Sequence, residues 1–203
     1  LYFYVKGYQK SLLYSNEALK LDKNLVRAYY LRGFAYKEMG DTAKAVSSFN
    51  TVVDLSPDYD AFIQLGNIYA ARNNPLAVQY YNNALKIEPN STEALYNRGL
   101  FFQNTGEIGK AVADYNTIIK IEPHYADAYF NLGYINSVLS SNWNEAIKFY
   151  TEAIKSNDQY AEAFFNRGVC FEKIGNKEAA KKDFIATIGI VPGYKPAQEK
   201  LKK

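Results

Sequence analysis

The sequence predicts an all-α fold, a solenoid of antiparallel helix pairs. Three observations predict it. A glycine returns at Gly33, Gly66, Gly99, Gly133 and Gly168, at intervals of 33, 33, 34 and 35 residues. A short pattern ends on each glycine: YLRG, IQLG, YNRG, FNLG and FNRG. Downstream, every copy carries an alanine (Ala45, Ala77, Ala111, Ala146, Ala180) with a ring four residues later (Phe49, Tyr81, Tyr115, Tyr150, Phe184). A fixed period of this length marks a chain built from stacked supersecondary units.

Each unit reads as two helices separated by a breaker. The unit 26–58 breaks at Gly40-Asp41, and 59–91 at Asn73-Asn74-Pro75. The unit 92–125 breaks at Gly106-Glu107, 126–160 at Ser140-Ser141-Asn142, and 161–194 at Gly175-Asn176. Asp41 and Asn74 suit the start of a second helix, and Pro75 suits a first helical turn. Pro57, Pro89, Pro123 and Pro192 close four of the second helices, because proline cannot continue one; Asp158 holds that place in the remaining copy. Residues 1–25 match the later part of a further unit, with Tyr2, a Lys6-Gly7 turn and Ala18, so the chain opens midway through a first helix. Residues 195–203 read as a polar capping helix of the kind such arrays use. The expected organisation is one solenoid domain over 1–203, part of a longer protein because residue 1 is Leu. The mid-helix glycine costs about 0.5–1 kcal/mol against alanine. Its return in every copy therefore predicts close approach between the two helices of a pair.

The pattern resembles the tetratricopeptide repeat, whose signature is W-x2-L-G-x2-Y, then A-x3-F, then P. In the copy at 92–125 the matching residues are Leu95, Gly99, Phe102, Ala111, Tyr115 and Pro123. The resemblance covers nearly the whole chain and implies a right-handed superhelix. One copy departs from it. Asn136 stands where Tyr36, Tyr69, Phe102 and Phe171 stand elsewhere, in the copy with an extra residue before its alanine and close to Trp143. An unpaired buried amide costs about 1–3 kcal/mol, so Asn136 is expected to be paired or turned outward, with Trp143 filling the space.

With the glycine numbered 8 in each unit, positions 4, 8 and 11 share one helical stripe, and positions 2, 6, 9 and 13 lie opposite. The first stripe is apolar and must be buried. The opposite one is free for solvent or a partner. Position 5 carries Tyr30, Ile63, Tyr96, Phe130 and Phe165; position 6 carries Leu31, Gln64, Asn97, Asn131 and Asn166. Position 9 carries Phe34, Asn67, Leu100, Tyr134 and Val169, and Asn104 stands at position 13. Amides among aromatics are not the Lys/Glu surface of a solvated face. In the resembled family this face lines the inside of the superhelix, where peptides bind, and a ladder of asparagines at position 6 grips peptide backbones in O-linked N-acetylglucosamine transferase. An amide both donates and accepts, so it pairs with an extended backbone whatever its sequence. The competing reading is an asparagine-rich composition with half-buried packing rings at position 5. Position 2 carries Arg27, then Asp60, Glu93, Asp127 and Glu162; four successive acids suit a basic partner, but the stronger account is the first turn of a helix, where acids complement the dipole. Chaperone-tail recognition is argued against, because Ile63, Asp127 and Asn131 replace the cationic positions it requires.

Composition excludes other classes. A net charge of +3 over 203 residues provides no polyphosphate-neutralising surface, so no nucleic acid is expected. No apolar run reaches the ~20 residues that cross a bilayer, so no insertion in a membrane is expected within this segment. One histidine and one cysteine, His124 and Cys170, supply neither a metal site nor a catalytic pair, and Cys170 suits a packed thiol. No cofactor and no catalysis are expected. The sequence thus points to a non-catalytic scaffold binding an extended peptide or partner segment through Tyr30, Phe34, Gln64, Asn67, Tyr96, Asn97, Leu100, Asn104, Asp127, Phe130, Asn131, Tyr134, Phe165 and Asn166. The alternative is a regulatory or targeting arm of a larger enzyme. Self-association through an uncapped end at Leu1–Tyr4 is a third expectation. A cytoplasmic location and a periplasmic one after removal of an upstream signal are equally compatible with this span.

Overall fold

At each break in the sequence the backbone turns through a left-handed residue. Gly40, Gly106 and Gly175 have φ of 81°, 82° and 83°, and Asn73 and Ser141 take the same place at 50°. Side-chain caps restart the chain as helix. The Asp41 carboxylate accepts from the Lys44 amide at 3.1 Å, and the Asn176 amide oxygen from the Ala179 amide at 3.1 Å. The Asn74 oxygen accepts from the Leu76 amide at 3.0 Å, setting Pro75 at the helix entry.

The computed structural model describes residues 7–202, and among them every regular element is helical. The helices form two compact units, one ending at Thr105 and the other beginning at Gly106. The first unit contains α1 (Tyr8–Leu21), α2 (Val26–Glu38), α3 (Thr42–Leu55), α4 (Tyr59–Ala70), α5 (Leu76–Ile87) and α6 (Thr92–Asn104). The second contains α7 (Ile108–Ile121), α8 (Ala126–Tyr134), α9 (Trp143–Ser156), α10 (Ala161–Lys173), α11 (Lys177–Ile190) and α12 (Lys195–Leu201). Within each unit the chain pairs consecutive helices, α2 with α3 and α4 with α5 in one, α8 with α9 and α10 with α11 in the other. The Leu1–Tyr4 stretch and the Tyr2 match of the partial repeat lie outside the described residues.

The recurring glycine is the seat of the recurring ring. A Cβ on Gly66 would lie 2.5 Å from the Tyr81 ring, and one on Gly33 3.0 Å from Phe49. On Gly133 and Gly168 the clash would be at 2.8 Å with Tyr150 and Phe184. Phe49, Tyr81 and Tyr150 are fully buried on these seats, each contributing about 1.5–3 kcal/mol of transfer free energy.

Neighbouring repeats are joined by a second ring. Tyr160, just before α10, stacks on Phe130 at position 5 of the preceding repeat, 4.9 Å apart and 19° from parallel. Its hydroxyl donates to the Asp127 carboxylate at 2.8 Å. Tyr194 packs on Phe165 at the corresponding place, 5.2 Å apart and tilted by 48°.

The extra residue of the 126–160 copy is absorbed as a π-helical turn, Ile135–Leu139, continuing α8. Asn136 is paired, its amide nitrogen donating to the Leu132 carbonyl at 2.8 Å. The turn points Ser137 inward, where its hydroxyl meets that of Tyr150 at 3.0 Å, and leaves Val138 and Leu139 exposed.

Candidate functional site

The face opposite the buried stripe divides, by the partners of its residues, into side chains used by the fold and side chains left over. In the first unit, Tyr30 meets Phe49 edge-on at 5.7 Å and Phe34 at 6.3 Å. Burial, reinforced by Asp60 and Asp58, pushes the Tyr30 phenol up to about 12. Lys37 lies 4.9 Å from the centre of the Phe34 ring and donates to the Gln64 carbonyl oxygen at 2.8 Å. The Asn67 oxygen accepts from the Tyr81 hydroxyl at 2.8 Å. Tyr96 and Leu100 are half-buried on α6. Asn97 is half-buried and Asn104 is exposed, and neither amide side chain has a hydrogen-bond partner among the described residues.

In the second unit, Phe130 is committed to its stack with Tyr160, Phe165 to a tilted contact with Tyr194, and Asp127 to the Tyr160 hydroxyl. Tyr134 is half-buried. Asn131, expected on an open face, is 7% exposed. Helical periodicity sets its direction on α8 but not the cover that neighbouring side chains give it. Asn166 is half-buried on α10, and its amide has no partner among the described residues. Asn97, Asn104 and Asn166 are thus the predicted amides whose side chains have no hydrogen-bond partner among the described residues.

Asn166 opens onto a pocket of 290 Å³ between the π-turn, the start of α9 and α10. Val138, Trp143 and Val169 give it apolar walls, with Ser137 and Cys170 deeper. Trp143 thus lines the space beside the extra residue without filling it. Lys173 stands at the rim with its ammonium 5.9 Å from the Trp143 ring. Cys170 is 1% exposed, and burial pushes its thiol up to about 11, so it stays protonated and serves as packing. Among the described residues no group of three His, Cys, Asp or Glu side chains could hold a metal ion, and no helix is long and apolar enough to cross a membrane.

Sequence reasoning missed the residue just before the glycine. Arg32 donates to the Ser48 hydroxyl at 3.1 Å, and Arg98 donates to the Asn82 oxygen. Arg167 grips Asp183 with two bonds of 2.8 Å and also reaches Thr151 at 3.1 Å. The signal was present in YLRG, YNRG and FNRG. The partners lie about 16 residues away on second helices, where no local pattern marks them.

Three profiles, each described as tetratricopeptide repeat, match residues 26–59, 80–113 and 140–193. The chain belongs to the tetratricopeptide repeat family. One relative of known name is the Photosystem I assembly protein Ycf3 of Acaryochloris marina (strain MBIC 11017), 31% identical over 91 residues. That match covers 42% of this chain and 55% of Ycf3, so it spans about half of that relative's length. Among solved structures, PilW, a type IV pilus biogenesis factor, superimposes with a TM-score of 0.77 at 21% identity, covering 98% of this chain and 93% of PilW. MamA gives 0.72 at 23% identity over 81% of this chain and 91% of its own. YrrB, described as a TPR protein with an unusual peptide-binding site, gives 0.71 at 18% identity over 93% and 98%. These likenesses establish that the repeat fold of this chain is the α-solenoid fold of tetratricopeptide proteins.

Proposed function

We propose that this tetratricopeptide chain is a protein-interaction scaffold that binds an extended peptide segment on the exposed face of its first helices. Membership of the family supports the scaffold reading, as does the assembly role in the name of the Ycf3 relative. The observation that carries the peptide reading is the Asn166 amide. It is half-buried, without a partner among the described residues, and set beside an apolar pocket. A backbone amide group of an extended ligand satisfies both its donor and its acceptor. Asn97 offers the same contact on α6. The aromatic contribution comes from partly exposed Tyr96, Tyr134 and Trp143, because Phe130 and Phe165 are engaged by the rings of Tyr160 and Tyr194.

A peptide array probed with the chain, followed by titration of each hit against Asn97→Ala and Asn166→Ala, tests the reading. Each truncation is expected to weaken binding by about 1 kcal/mol where the amide is paired in the complex. Unchanged affinity of every hit for both variants overturns the amide contact.

A further inference from the structure

The pocket beneath Asn166 has features that the general peptide reading does not use. One of its walls is the π-turn, and such turns inside α-helices recur at functional sites. Position 13, held by Glu38, Ala71, Asn104 and Lys173 in the other copies, is Val138 on the turn and is 56% exposed. Leu139 beside it is 51% exposed. At 290 Å³ the space lies just under the ~300–1,000 Å³ of small-molecule sites. It suits one side chain of a longer ligand.

Charge selects the neighbour of that side chain. Lys173 is the one charged residue of the lining, and among the described residues it has no acidic partner. Its contact with the Trp143 ring is long, at 5.9 Å, and cation–π contacts at exposed sites are weak. A ligand carboxylate can therefore recruit the ammonium without breaking a strong interaction. Asn166 can hold the backbone of an internal segment, whose N–H and carbonyl satisfy the amide's acceptor and donor.

We propose that the pocket seats an apolar side chain of an extended peptide whose adjacent residue is an internal aspartate or glutamate, with Val138, Trp143 and Val169 holding the apolar group and Lys173 the acid. This rests on the peptide-binding reading above and names the ligand class for one of its subsites.

Trp143 is the only tryptophan of the chain, so its emission reports occupancy of the pocket. The probes are fluorescein-labelled, end-capped ten-residue alanine–serine peptides carrying an aspartate–leucine pair, a lysine–leucine pair or a serine–leucine pair. A fourth carries leucine at a free C-terminus without aspartate. Binding is followed by anisotropy and, with unlabelled peptides, by Trp143 emission. The aspartate–leucine peptide is expected to bind best and to shift the emission saturably, with the lysine counterpart about fivefold weaker. In Lys173→Glu the order of these two peptides is expected to reverse; circular dichroism confirms that this exposed substitution leaves the helices intact. Binding by anisotropy with unchanged Trp143 emission, or an aspartate preference that survives Lys173→Glu, overturns the subsite while peptide binding stands. Preference for the free C-terminus overturns the internal acid. No binding of any peptide overturns both this subsite and the scaffold reading for these ligands.

Discussion

The rings that sit on Gly66, Gly133 and Gly168 leave no room for even one methyl group. Gly66→Ala forces a Cβ to within 2.5 Å of Tyr81, a buried ring that cannot swing away. The expected cost is about 1–3 kcal/mol, read as a lower urea midpoint at unchanged slope. Gly189, also helical, has nothing within 4 Å of where a Cβ would stand, and Gly189→Ala is expected to stabilise by about 0.5–1 kcal/mol in the same assay. Arg167 makes the other residue-scale prediction. Its partner Asp183 is only 7% exposed, so Arg167→Met leaves a carboxylate shielded from water and without its cation. A loss of about 3–5 kcal/mol is expected, and adding Asp183→Leu is expected to restore most of it. A double variant no more stable than Arg167→Met alone would show that the arginine acts by packing and not by charge.

The helix-to-helix turns show how much of an element is visible before folding. The left-handed position was legible where it is glycine, at Gly40, Gly106 and Gly175, since only glycine takes positive φ without strain. At Asn73 and Ser141 the same geometry is forced on ordinary residues by the repeat around them. Ser141→Gly is expected to stabilise the chain by about 1 kcal/mol, and Gly175→Ala to destabilise it by a similar amount, both measured by thermal melting. The π-turn was only half legible. The extra residue, Asn136 and Trp143 marked the place. That the insertion would wind into α8, turning Ser137 onto the Tyr150 hydroxyl, depends on tertiary contacts that spacing does not encode. For the same reason the partners of the amides were not legible. Asn97 and Asn166 are unpaired among the described residues, but Gln64 and Asn67 accept bonds from Lys37 and Tyr81, and Asn131 is covered. A helical wheel gives the angle of a side chain; it does not give what lies over it.

Across the molecule, tyrosine hydroxyls tie the pH response to folding. Burial raises the Tyr30 and Tyr59 phenols from 10.0 to about 12, and raises those of Tyr81 and Tyr150 further. The folded chain thus keeps protons that the unfolded chain releases near pH 10, so stability rises with proton affinity. The contribution is complete below pH 10 and is lost as pH climbs through about 12. Denaturant midpoints measured from pH 9 to 12 are expected to fall over that window, with phenolate absorbance lagging behind free tyrosine until the helices melt. The helix pairs themselves were legible, because glycine, ring and breaker recur at fixed spacing, whereas the inter-repeat ring contacts of Phe130 with Tyr160 and Phe165 with Tyr194 needed coordinates. Those two kinds of contact also bear on how such a chain changes over generations. In the copies 126–160 and 161–194 the ring is locked to the glycine of its own repeat, while the junction asks only for a ring at position 5 and a ring to lie on it. A duplication or in-frame loss of a repeat of this kind carries its lock with it and regenerates that junction, so the gene can lengthen or shorten by such a module without any compensating mutation inside it.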